Sequence, residues 1–153
     1  MNVQNPIRLR LTEPQERFLC SEAKHPAFVA GFGAGKSEVM ACSAVGDAAH
    51  ASDALIGLYA PTYDLVRLIT APRICAKLSE IGVPHKWNKQ DNAVYTNWPR
   101  FGDFILRTMD NPERIVGYET YRAHVDELDT PISDSLAHIL GAVISRTRSY
   151  VGA

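Results

Sequence analysis

Residues 30–39 read AGFGAGKSEV and place three glycines at alternate positions directly before a lysine and a serine. Glycines leave backbone N–H groups free to face phosphate oxygens. The pattern GxxxxGK[ST] has Ala30 in place of its first glycine, and the rest of it matches. The alternative is a glycine-rich surface turn beside a solvated lysine. As a phosphate loop, the stretch predicts ATP binding through Gly31, Gly33, Ala34, Gly35, Lys36 and Ser37.

Two acidic residues are candidates for binding the metal ion and activating the water molecule at a phosphate loop. Asp126 and Glu127 follow the apolar run AHV, about 90 residues beyond Lys36. Aspartate is a hard oxygen ligand that suits Mg²⁺, and a following glutamate polarises the attacking water. Taken alone, the two acids also fit a solvated acidic loop. Together with the glycine-rich stretch, they predict Mg²⁺ held by Ser37 and Asp126, with Lys36 and Glu127 as catalytic residues.

Such a loop must lie between a strand and a helix. The short apolar run at 27–31 predicts a buried strand, and the small-residue pattern of 36–50 predicts the helix. Residues 54–61 predict a second buried strand, and residues 121–128 a third strand that ends in the two acids. Within that third strand, His124 is interpreted as a packed core histidine. The predicted strands therefore carry the candidate residues at their ends.

Helices surround these strands in the predicted order. Leu11–Ala23 is predicted as a helix with Thr12 at its N-cap. Residues 63–82 are also predicted as a helix, kinked or split by Pro72 and ended by Gly82. The apolar spacing in 132–146 predicts a last helix.

Residues 83–108 have a different residue pattern, with short β-like runs separated by KQDN and PRFG. Those separators are turn-like, so the region predicts hairpins. Elsewhere strands alternate with helices, which predicts an α/β fold with a mostly parallel sheet covered on both faces. The hairpins would form an insertion or an antiparallel edge.

The length and composition of the chain exclude several classes of protein. The chain has 153 residues, enough for one domain, with 46% hydrophobic and 22% charged residues. No stretch approaches 18 apolar residues, and the first residues lack the apolar core of a signal peptide. Three widely spaced cysteines argue against a disulfide framework and favour a cytosolic setting. With a net charge of −1, any contact with DNA must come from a local patch.

The motifs together resemble the N-terminal ATPase domain of the large terminase subunit, the DNA-packaging motor of tailed bacteriophages. AGFGAGKS resembles its phosphate loop, LYAPTYDLVR its segment after the second strand, and FILRTMDNPERIVGYETYRAHVDE its approach to the acidic strand. LTEPQERF resembles the glutamine-containing segment that these motors place against adenine, which implies Gln15 as a base contact. The resemblance implies a P-loop NTPase fold of the RecA-like type, with Asp126 on the metal and Glu127 as the catalytic glutamate.

Two departures from the family pattern matter. Many terminases carry an arginine inside the phosphate loop, and residues 32–34 offer none. Family members take a stimulating arginine from a neighbouring subunit of the ring, and some of them place it shortly before the acidic strand. That implies Arg114 as the catalytic arginine, with Arg107 and Arg122 as alternates. A surface arginine paired with a nearby acid is the competing interpretation of Arg114.

The second departure is length. Large terminases also carry a nuclease domain and, after the acidic strand, a coupling motif on a further strand. The resemblance therefore implies that residues 1–153 form a single, incomplete ATPase domain without the nuclease domain, as a fragment or a truncated gene would.

The resemblance implies an ATP-hydrolysing motor that translocates double-stranded viral DNA into a procapsid. Its expected partners are that DNA, the portal protein, the small terminase subunit and further copies of the chain in a ring, with no membrane. The expected location is the host cell cytoplasm and not the mature virion. Two alternatives stay open: a helicase-like DNA-dependent ATPase, and a nucleotide-binding assembly module that is inactive as an isolated fragment.

Overall fold

The computed structural model describes residues 10–110, 118–128, 138 and 140–144. Its helices are α1 (Glu13–Leu19), α2 (Lys36–His50), α3 (Tyr63–Leu65) and α4 (Ala71–Glu80), with a π-helical turn at Val66–Thr70 between the last two. The strands are β1 (Leu55–Ala60), β2 (Lys86–Asn88), β3 (Ala93–Tyr95), β4 (Asp103–Thr108) and β5 (Arg122–Val125). Residue 138 and residues 140–144 are helical. No helix within the described residues is long and apolar enough to cross a membrane.

The five strands form one mixed sheet in the order β2-β3-β4-β1-β5. Strands β4 and β5 flank β1 and run parallel to it, whereas β2 and β3 form the antiparallel edge. The α/β prediction is confirmed, and the predicted hairpins form the antiparallel edge. The run 103–108 is more than a hairpin arm, because it also pairs along its whole length with β1. Parallel pairing brings the carboxyl ends of β4, β1 and β5 to the same edge of the sheet.

The predicted strand at 27–31 is wrong. These residues form no strand in the described structure, and the side chain of Val29 is 94% exposed. The apolar composition predicted burial, but a strand also needs a hydrogen-bonded neighbour, and none of the five described strands pairs with this run. A packing contact of the run is the one between the rings of Phe28 and Phe18, whose centroids lie 5.6 Å apart.

The two faces of the sheet are covered by different helices. Alternate residues of β1, Ile56, Leu58 and Ala60, are buried in the main core with α2 and α4. On the opposite face Tyr59 packs in a smaller cluster with Val143 of the last helix. The prediction that helices cover both faces is therefore confirmed.

Pro72 affects the predicted helix at 63–82 without splitting it. The proline ring has no N–H and crowds the carbonyl one turn before it. The preceding turn widens, so that the Ala71 N–H donates to the carbonyl of Val66 in a π-helical pattern. Gly82 then ends α4 with a φ of +75°, a left-handed conformation that glycine adopts without a steric penalty.

The end of α2 is held close to the sheet at Gly102. The Gly102 N–H donates to the carbonyl of Ala48 at 2.8 Å, and a Cβ at this position would lie 2.6 Å from the carbonyl oxygen of Ala54. The backbone oxygen cannot move aside as a side chain would. Glycine is therefore required here by the close approach of two chain segments.

We expect Gly102→Ala to lower the free energy of unfolding by about 1–3 kcal/mol, as overpacking does. Gly46→Ala is the matched control, because a Cβ there meets no atom within 4 Å. Within α2 that change should add about 0.5–1 kcal/mol through helix propensity. Urea unfolding of the three proteins measures both effects, and a Gly102→Ala protein as stable as the parent would contradict the close approach.

Candidate functional site

The loop before α2 is shaped by two glycines with left-handed backbones. Gly33 has a φ of +75°, and Gly35, at the N-cap of α2, has a φ of +78°. A Cβ on Gly35 would also lie 2.5 Å from Nε2 of Gln15. The first N–H groups of α2 have no partner within the helix, and the helix dipole favours an anion there. The loop can therefore accept phosphate oxygens through its backbone.

Lys36 begins α2 and reaches back over this loop. Its Nζ donates a 2.8 Å hydrogen bond to the carbonyl oxygen of Ala30, at the other end of the loop. The ammonium group thus lies beside the loop amides, where it can neutralise charge on a bound phosphate. The contact with Ala30 could not be predicted from the motif, because it is a property of the folded loop.

Ser37 and Asp126 meet although 89 residues separate them. The Ser37 hydroxyl donates to Oδ2 of Asp126 at 3.0 Å. The Asp126 N–H donates to the carbonyl of Tyr59 at 2.9 Å, which fixes the backbone of Asp126 at the carboxyl end of β1. Hydroxyl and carboxylate oxygens are ligands of Mg²⁺, and neighbouring ligands of an octahedral Mg²⁺ lie about 3.0 Å apart. The pair therefore fits a single magnesium ion.

Glu127 follows Asp126 in an unusual backbone conformation. Its φ is +50°, in the left-handed region that glutamate seldom adopts, and its N–H donates to Oδ1 of Asp126 at 3.1 Å. The side chain is exposed, and it directly follows Asp126, whose carboxylate accepts from Ser37 in the first turn of α2. An exposed carboxylate next to a phosphate site can orient a water molecule.

Gln15 is buried, with 7% of its surface exposed, and both ends of its amide are hydrogen-bonded. Oε1 accepts from the N–H of Thr12 at 2.9 Å and completes a capping box at the start of α1. Nε2 donates to the carbonyl of Ala34 at 3.3 Å. In this structure Gln15 braces the phosphate loop against α1, and its contact with adenine stays a prediction.

The candidate arginines differ in their surroundings. Arg114 lies outside the described residues. Arg107 donates to backbone carbonyls and lies over the ring of Tyr118, with 4.3 Å between the guanidinium carbon and the ring centroid. Arg122 approaches Asp47 of α2, with 3.7 Å between Nε and Oδ1. Both alternates are thus engaged within their own chain, and the catalytic role of an arginine stays a prediction.

An ion-pair cluster beside the loop joins α2 to α4. Glu38, the residue after Ser37, accepts from Lys77 at 2.6 Å and from Arg73 at 3.3 Å. The hydrogen bond from Lys77 holds the pKa of Glu38 below its usual value of 4.5. Burial acts to lower the pKa of Lys77, but its hydrogen bonds to Glu38 and Glu80 outweigh burial and raise it. No sequence motif signals this cluster, because its two helices are distant along the chain.

Comparison with known proteins identifies the fold. No family model and no curated protein sequence matches the chain. The large terminase of a thermophilic bacteriophage, in complex with ADP, aligns over 94% of this chain, with a TM-score of 0.73 and 18% identity. Another crystal form of that terminase aligns over 93%, with a TM-score of 0.71 and 16% identity. The large terminase ATPase domain of Thermus phage P74-26 aligns over 90%, with a TM-score of 0.66 and 20% identity.

These likenesses establish that the chain has the fold of large-terminase ATPase domains, as the sequence motifs predicted. The chain spans 37% of the length of the ADP-bound terminase and 61% of the Thermus phage domain. The structure brings Lys36, Ser37, Asp126 and Glu127 to one edge of the sheet, and their roles stay predictions. The sequence patterns do not predict the contact between Asp47 and His124, which joins α2 to β5.

The Glu38 cluster predicts a pH dependence of stability. Because the pKa of Glu38 is lower in the folded chain than in the unfolded chain, ionised Glu38 contributes to the free energy of unfolding above about pH 4.5. That contribution is lost as the pH falls through the pKa of the folded state. As the pH is lowered from about 6 to about 3.5, the free energy of unfolding of Glu38→Gln should therefore fall less than that of the parent. Chemical unfolding at several pH values in this range measures the slope of the free energy of unfolding against pH, and Glu22→Gln, at an exposed position, is the control. Equal slopes for Glu38→Gln and the parent would contradict the assignment.

Proposed function

We propose that the chain is a Mg²⁺-dependent ATPase domain of a phage DNA-packaging terminase, which uses ATP hydrolysis to translocate double-stranded DNA into a procapsid. The observation that carries the proposal is the 3.0 Å contact between Ser37 at the start of α2 and Asp126 at the end of β5. This contact joins the phosphate-loop motif to the acidic motif in one place. The ADP complex of the thermophilic-phage large terminase, a protein of the same fold, supports nucleotide as the ligand.

The triphosphate would be held by the backbone N–H groups at 33–36 and by the ammonium group of Lys36. To reach the phosphates, Lys36 exchanges its hydrogen bond to Ala30 for one to a phosphate oxygen. Ser37 and Asp126 would hold Mg²⁺, which when bound neutralises charge on the β- and γ-phosphate oxygens. The left-handed backbones of Gly33 and Gly35 keep the loop open enough for this approach.

Hydrolysis would proceed by in-line attack of water on the γ-phosphorus. The new P–O bond forms to the water oxygen while the bond to the β–γ bridging oxygen breaks, leaving ADP and inorganic phosphate. Glu127, which is exposed directly after Asp126, orients the water and takes its proton. Lys36 stabilises the charge that develops on the transferred phosphoryl group.

The remaining parts of the proposal concern assembly. A stimulating arginine, Arg114 by position in the motif, would act on the site of a neighbouring copy in a ring. The DNA, the portal protein and the small terminase subunit would be its other partners, in the host cell cytoplasm. The fold shared with the two phage terminases supports these assignments by analogy.

A test of the proposal compares three variants. Lys36→Ala should weaken nucleotide binding and lower turnover by about 10²-fold or more, because it removes charge stabilisation. Glu127→Gln should bind nucleotide normally while turnover falls by about 10²–10⁴-fold. Lys86→Ala, an exposed lysine on the far edge strand β2, is the control and should behave as the parent.

Phosphate release and the binding of a fluorescent ADP analogue give the two readouts. Normal turnover by Glu127→Gln would remove that residue from the mechanism. Unchanged binding by Lys36→Ala would remove the phosphate loop and, with it, the proposed function.

One observation favours a second candidate, a nucleotide-binding module that does not turn over alone. The run 27–31 leads into the phosphate loop without a strand partner among the described strands, and Phe32 within the loop is fully exposed. A loop that no described strand supports from the 27–31 side would bind nucleotide but hold it poorly for reaction. The rate per molecule against protein concentration separates the two candidates: a steep rise indicates activation by neighbouring copies, and zero turnover with measurable ADP binding indicates the inert module.

A further inference from the structure

A second polar contact joins α2 to β5, some distance from the phosphate loop. Nε2 of His124 lies 2.9 Å from Oδ2 of Asp47, and the two side chains are only 11% and 24% exposed. Arg122 adds a longer contact of 3.7 Å to the other carboxylate oxygen from a side chain that is 53% exposed. Because exposed ion pairs contribute little, the hydrogen bond from the largely buried His124 dominates this contact.

The position of this contact relates it to the candidate metal site. His124 lies in β5 and Asp126 directly follows that strand, so the two residues are two positions apart and face the same side, which α2 covers. Asp47 follows Ser37 by ten residues on α2, which places the two about 15 Å apart along the helix axis. The helix is thus attached to this stretch of chain near both of its ends.

Two attachments constrain the helix more than one does. The Ser37–Asp126 contact fixes only the first turn of α2 relative to the end of β5. Other contacts of α2 lead to different elements: its buried face packs on β1 in the main core, Glu38 pairs with α4, and the carbonyl of Ala48 accepts from Gly102 before β4. The contact of Asp47 with His124 adds to this packing a polar attachment between the body of α2 and β5 itself.

We infer that Asp47 and His124 are positioning residues, which hold α2 on β5 so that the Ser37 hydroxyl and the Asp126 carboxylate share one Mg²⁺. The inference rests on the proposed function, since it assigns a purpose to the spacing of the two metal ligands. Polar partners of metal ligands typically affect metal affinity by about 10–100-fold when they are removed. The lower end of that range is expected here, because the pair acts through the helix and strand and does not touch a ligand.

The experiment measures the affinity of the chain for ADP with and without Mg²⁺ by titration calorimetry. Asp47→Ala and His124→Leu remove the contact, and Asp47→Asn and His124→Gln keep an acceptor and a donor in nearly the same place. In the two variants that remove the contact, the Mg²⁺-dependent gain in ADP affinity should be about 10-fold smaller than in the parent. Their affinity for ADP without Mg²⁺ should equal that of the parent. The conservative variants should regain most of it.

The double variant Asp47→Ala/His124→Leu leaves neither partner unpaired, so it also serves if a single variant fails to fold. It should lose no more of the Mg²⁺-dependent gain than one single variant, since the two residues act as a pair. Ile74→Val, a buried change on α4 away from β5, is the control for lost stability and should keep the full gain. A full gain in the double variant, or an equal loss in Ile74→Val at a matched melting temperature, would overturn the inference.

Failure of the proposed function gives a different pattern. In that case the parent chain itself shows no Mg²⁺-dependent gain, and Ser37→Ala and Asp126→Asn bind ADP as the parent does. If instead these two variants lose the gain while Asp47→Ala keeps it, the proposed function stands and only the positioning role falls.

Discussion

The candidate site depends on one hydrogen bond, from the Ser37 hydroxyl to the Asp126 carboxylate. It joins the first turn of α2 to the residue after β5, and the sheet and the glycine-rich loop bring those two places together. Parallel pairing of β1 with β5 puts Asp126 at the carboxyl edge of the sheet, where its N–H is held by the carbonyl of Tyr59. Glycine at 33 and 35 lets the chain enter α2 at that same edge.

Much of this arrangement could be predicted from the sequence, because it follows from local patterns. The bounds of α2, the strand β1 and the N-cap at Thr12 agree with residue periodicity and capping chemistry. The meeting of Ser37 with Asp126 follows from two motifs, each at the end of a strand or the start of a helix. Local rules succeeded where the chemistry of neighbouring residues decides the conformation.

The remaining features depend on partners that are distant along the chain. The run at 27–31 has the apolar composition and the length of a buried strand, yet no described strand pairs with it. The run 103–108 has the pattern of a hairpin arm, but its parallel neighbour β1 makes it an interior strand. The pattern around His124 favours a packed core histidine, and its bond to Asp47 forms only once α2 lies on β5. Pairing and docking are tertiary properties, which periodicity does not encode.

The most direct measurement is a crystal structure of the chain with Mg²⁺ and a non-hydrolysable ATP analogue. We predict phosphate oxygens within hydrogen-bond distance of the backbone amides at 33–36 and of Lys36 Nζ. We also predict Mg²⁺ at about 2.1 Å from Ser37 Oγ, with Asp126 bound to the ion directly or through one water. A nucleotide bound elsewhere, or an ion that leaves Ser37 and Asp126 bonded only to each other, would contradict the shared site.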